Sequence, residues 1–131
     1  MREAVIVSTA RTPIGKAYRG GFNNLASPTL AGHAISAAVQ RAGIEADRVE
    51  DCIMGAALTQ GSQGGNIGRT AALRGGLPVT VSGMTIDRQC ASGVSASDRH
   101  HAAFTAQRRR ISSHRASARA IAPVPEATSA R

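Results

Sequence analysis

An α/β fold with a parallel sheet, followed by a basic tail without regular structure, is predicted by three observations. Apolar runs of strand length alternate with segments of helical period, in the order strand, helix, strand, helix, strand, before Cys90. All 14 glycines and all five leucines of the 131-residue chain lie before Ser97. Of the net charge of +8, the first 97 residues carry +3 and the last 34 carry +5.

Each element has its own signal. The β-branched run "EAVIVSTA" predicts a first strand buried on both faces, and "RTPIGKAYRGGFNN", rich in Gly and Asn, predicts a loop. A helix follows: Ser27 is its expected cap, Pro28 stands at the first helical position, and Gly43 stops it. Leu30, Ala34, Ile35, Ala38, Val39 and Ala42 form its apolar face. "RVEDCIMGAAL" reads as a second strand, "SQGGNIGRTAALRGGL" as a shorter helix approached through glycines, and "VTVSGMTID" as a third strand. Parallel strands need crossovers, so another helix should begin near Cys90.

The tail reads differently. From Asp98 onward Phe104, Ile111, Ile121 and Val124 are spaced by 7, 10 and 3, which fits neither a helix nor a strand. We therefore expect an ordered part over residues 1–97 and a disordered part over 98–131.

Composition narrows the function. Aromatics make up 2% of residues, so the core must be built from Val, Ile, Leu, Met and Ala. Cys52 and Cys90 lie 38 positions apart with no CxxC pair and no histidine at ligand spacing, which argues against a metal site. The opening "MREAVIVSTAR" has no signal-peptide pattern and no run suits a membrane span, so a reducing, cytoplasmic setting is expected. "GSQGGNIG" matches neither phosphate-loop pattern.

Cys90, in "DRQCASG", is the candidate nucleophile. A helix N-terminus presents unpaired N–H groups and the positive end of the dipole, which favour a thiolate. Ala91, Ser92 and Gly93 are small enough to let a carbonyl approach the sulfur. Against this, most free cysteines are packing elements, and a base is not evident. His33 falls on the helix face opposite the apolar one, and His100, His101 and His114 lie in the tail.

The segments "VIVSTARTPIGKAYRGGF", "TLAGHAISAAVQRAGI", "VEDCIMGAALTQGSQGGNIGRTAALRGGLP" and "MTIDRQCASG" resemble, in order and spacing, the N-terminal half of a thiolase, an acetyl-CoA acyltransferase. The likeness covers about residues 2–96. It implies an incomplete part of a layered α-β-α half. It also implies that Cys90 takes an acyl group from acyl-CoA and passes it to the α-carbon of a second acetyl-CoA, the reverse being thiolytic cleavage of a 3-ketoacyl-CoA. Acyl-CoA and coenzyme A would be the partners, in fatty acid metabolism. No separate cofactor is needed, and the family suggests a homodimer or homotetramer. Many thiolases have Asn where this chain has Asp87. Arg11, Asn66 and Arg69 fall in segments similar to those that shape the active-site surroundings and the dimer contact in the family, so their expected role is structural first and site-adjacent second. Cys52, inside a strand, is expected to pack rather than react.

The resemblance stops after Ala96. The family's bases and oxyanion groups belong to GHP, CxG and NEAF motifs, and the 131 residues contain none of these. The helix after the nucleophile is buried in the family, yet here Asp98, Arg99, His100 and His101 would enter that layer, so it should be truncated, displaced or disordered. The chain alone is thus expected to be inactive. A tail rich in Ala, Arg, Ser, His and Pro is what a GC-rich gene read out of frame would encode. We expect a frameshift near codon 97, which translation of the downstream DNA in the other two frames would test. Two other functions fit less well. One is a nucleic-acid-binding module built on "RRR", for which Phe104 is the tail's only aromatic. The other is a condensing enzyme of the ketoacyl synthase type, although "RTPIG" with "DRQCASG" looks more like thiolase.

Overall fold

The computed structural model describes residues 5–99. The expected tail lies outside the described residues except for Asp98 and Arg99.

Helix α1 spans Ser27–Ala42. The expected cap is corrected: the N-cap is Ala26, in extended backbone, and Ser27 is already helical. A helical Ser27 cannot fold its hydroxyl back over the first turn as an N-cap does. The first turn satisfies its N–H groups by other means. Thr29 and Leu30 donate to the Ala26 carbonyl at 2.9 and 3.2 Å, and Pro28 has no N–H to satisfy. The Ser27 hydroxyl instead pairs with the Ser62 hydroxyl at 2.9 Å, tying the helix start to the loop before the second helix. At the other end Gly43 has φ 65°, and its N–H donates to the Gln40 carbonyl at 3.1 Å. A side chain there would strain the left-handed backbone, which is why the helix stops at this glycine. The six predicted apolar positions are all half-buried, and the face packs against the second helix.

Strand β1 (Asp51–Gly55), helix α2 (Ile67–Arg74) and strand β2 (Ser82–Ile86) form one β-α-β unit. The strands pair in parallel, Asp51 opposite Ser82 through Gly55 opposite Ile86. Their C-terminal ends are therefore level, and whatever follows them meets at one edge of the sheet. α2 packs against both strands and α1. Ala72, Leu77 and Val81 form the buried cluster, with Ile35, Val39 and Cys52 against it. Ala, Val, Ile and Leu fill this core without an aromatic, as the composition requires.

The first predicted strand does not form. Residues 5–16 are irregular, and Val5, Ile6 and Val7 are 63%, 88% and 65% exposed rather than buried on two faces. β-branched residues favour a strand only where a neighbour supplies a ladder and a surface to pack on. Among the described residues the sheet has two strands, β1 and β2, and neither pairs with this segment.

Candidate active site

The turn that carries Cys90 begins where β2 ends. After Ile86 the chain runs through Asp87 and Arg88 into a tight 3-10 turn, Gln89–Ala91, and then into helix α3, residues 92–99. Cys90 is thus at a strand-to-helix junction, as its sequence context suggests, and it is a free, exposed thiol. The helix continues beyond Ala96, with Asp98 and Arg99 exposed rather than entering a buried layer.

Polar groups close to the backbone shape this turn. Gln89 has φ 51°, a left-handed conformation that a residue with a side chain adopts at some cost. The Asp87 carboxylate accepts the Gln89 N–H at 2.9 Å. Either Asp or Asn offers an oxygen there, so the Asp87 variation leaves this bond intact. The Ser92 hydroxyl accepts the Arg88 N–H at 2.9 Å and donates to the Gln89 carbonyl at 2.6 Å. Ser92 is only 4% exposed, and Ala96, one helical turn on, is 8% exposed, so this face seats α3. The seat is the end of β1: a Cβ on Gly55 would overlap the Ser92 backbone.

Behind the turn, Asn66 ties α2 to β2. Its side-chain oxygen accepts the Arg69 N–H at 3.2 Å and the Thr85 hydroxyl at 2.8 Å, while its amide donates to the Gly83 carbonyl at 2.7 Å. The Thr85 hydroxyl also accepts the Gly68 N–H at 3.0 Å. The Arg69 guanidinium bonds the carbonyls of Val79, at 3.0 Å, and Val81, which holds the loop leading into β2. These bonds give Asn66 and Arg69 a structural role. Arg11 is exposed in the irregular N-terminal segment.

Cys52 lies in β1 and packs on the buried cluster. Burial, and secondarily the adjacent Asp51 charge, pushes its thiol pKa up, so it stays protonated. His33 is exposed on α1, while His100, His101 and His114 lie outside the described residues. Among the described residues no group of three or more His, Cys, Asp or Glu side chains could hold a metal, and no helix is long and apolar enough to cross a membrane.

Two clefts flank the sheet's C-terminal edge, where ligands collect in open α/β sheets. One, of about 280 Å³, lies between α1 and the end of β1, lined by Leu30, Ala34, Met54, Gly55, Gln63 and Ile67 among others. The other, of about 270 Å³, is lined by Ile86, Arg88, Ser95, Asp98 and Arg99. Cys90 lines neither. In the sequence Ser92 is legible only as a small neighbour of Cys90, and nothing singles out Gly55 as its seat. A glycine inside an apolar strand run is the signal that could have found the second.

Comparison with known proteins agrees with this arrangement. The family model for the thiolase N-terminal domain matches residues 4–111. An acetyl-CoA acetyltransferase of Cupriavidus necator is 45% identical over 96 residues, covering 73% of this chain and 24% of that protein. A 3-ketoacyl-CoA thiolase of Bacillus subtilis is 39% identical over 94 residues, covering 72% and 24% respectively. The structure of an acetyl-CoA acetyltransferase from Syntrophomonas wolfei superposes with a TM-score of 0.71 at 31% identity, over 79% of this chain and 26% of that one. The chain thus spans about a quarter of the length of these relatives. With its β-α-β unit, its strand-to-helix cysteine and a domain match over most of its length, the chain belongs to the thiolase family.

Proposed function

We propose that Cys90 is the acyl acceptor of a thiolase-type transfer, and that this 131-residue chain carries the acylation half of the site without the groups that complete the cycle. The observation that supports this most is the exposed thiol at the β2–α3 turn of a thiolase N-terminal domain. In the reaction the Cys90 sulfur attacks the carbonyl carbon of an acyl-CoA. A new thioester forms on Cys90, the bond from that carbon to the coenzyme A sulfur breaks, and the coenzyme A thiolate takes up the proton that Cys90 releases. The thioester itself is the reactant, and the step needs no separate cofactor. Carbanion formation on a second acetyl-CoA needs a base and an oxyanion site, which the family places in motifs this chain does not contain. We place the reaction in a reducing compartment such as the cytoplasm, where two unpaired thiols persist, and in the homodimer or homotetramer that the family suggests. The nucleic-acid reading rests on tail arginines that, apart from Arg99, lie outside the described residues.

Release of coenzyme A thiol from acetyl-CoA tests the proposal. A stoichiometric burst that then stops, with no acetoacetyl-CoA formed, is expected, and Cys90→Ala should abolish it. A burst of the same size in Cys90→Ala would overturn the assignment.

A further inference from the structure

We propose that Ser92, assisted by Asp87, is a positioning residue that holds Gln89 in its left-handed conformation and so presents Cys90 for acyl transfer. The proposal rests on Cys90 being the acyl acceptor, although its backbone part is measurable without any acyl-CoA. Gln89 lies between the end of β2 and Cys90, so the Gln89 torsions set how Cys90 and the start of α3 are aimed relative to the sheet edge. At φ 51° the Gln89 Cβ crowds its own backbone, and the conformation persists only where surrounding groups hold it.

Those groups are Asp87 and Ser92. Asp87 takes the Gln89 N–H, and Ser92 takes the Gln89 carbonyl together with the Arg88 N–H, so both peptide units flanking Gln89 are restrained. The Ser92 oxygen accepts one hydrogen bond and donates another, which a hydroxyl does and neither an apolar side chain nor a carboxylate can. Ser92 cannot drift from this position, because it is buried and its backbone rests on Gly55. In this role it touches neither the sulfur nor the substrate.

The test is iodoacetamide alkylation of the 131-residue chain, with Cys90 and Cys52 read separately by peptide mass spectrometry. Half-buried Cys52 reports unfolding, since it reacts quickly only when the core opens. Ser92→Ala should slow Cys90 about tenfold while Cys52 stays protected, and Ser92→Thr, which keeps the hydroxyl, should remain within about twofold of the unaltered chain. Adding Gln89→Gly to Ser92→Ala should recover part of the loss, because glycine adopts positive φ without a Cβ clash. A Cys90 rate unchanged in Ser92→Ala, or a loss that Ser92→Thr shares in full, overturns the proposal. If Ser92→Ala exposes Cys52, Asp87→Ala decides at an exposed position: a fall of about threefold is expected, and no fall overturns it. A chain that alkylates at Cys90 but takes no acetyl group would refute the acyl-acceptor reading, leaving the positioning role to stand or fall on the alkylation series.

Discussion

Cys52 and Cys90 differ in burial, and that difference makes them separately measurable. Cys52 keeps its proton to higher pH in the folded chain, through burial first and the Asp51 charge second. An unfolded thiol ionises near pH 8.5, so the Cys52 contribution to stability is fully present below about pH 8.5 and falls as pH rises through the folded value. Urea midpoints at about pH 7 and about pH 10 should therefore drop for the unaltered chain and drop less for Cys52→Ala. Gly55 offers a second residue-scale test. Its Cβ would meet the Ser92 backbone, so Gly55→Ala should cost about 2 kcal/mol by overpacking and displace α3. Urea unfolding measures the first effect and Cys90 alkylation the second.

At the scale of elements, Asn66 joins α2 to β2 through three side-chain hydrogen bonds. Asn66→Ala should cost about 1–2 kcal/mol, as loss of an N-cap with its strand contacts. The same scale separates what could be read in the sequence from what could not. α1 was legible because its period, its Pro28 and its Gly43 are all local signals. β1 and β2 were legible because apolar runs bounded by turn residues are local too. The first strand is not legible because Val5, Ile6 and Val7 have strand propensity but pair with no strand among the described residues, and pairing is a property of two segments. The Cys90 junction could be placed from the order of elements. The Ser92 clamp could not, because a buried hydroxyl and a small exposed one look alike in a sequence. One consequence is direct: Ile6, 88% exposed and unpaired, should accept Ile6→Lys with a stability change within about 0.5 kcal/mol by urea unfolding.

For the molecule as a whole, the domain match and the shared architecture establish the family, while the chain spans about a quarter of the length of its relatives. Function at this scale depends on which part of an acyl-transfer cycle one exposed thiol can perform. Under the proposed function Cys90 accepts the acyl group and holds it. The most direct measurement is to incubate the intact chain with isotopically labelled acetyl-CoA, quench in acid, and locate the label by tandem mass spectrometry. Acetyl thioester is expected on Cys90 and none on Cys52, with the label lost on hydroxylamine treatment. Label absent at saturating acetyl-CoA, or found on Cys52 instead, would contradict it.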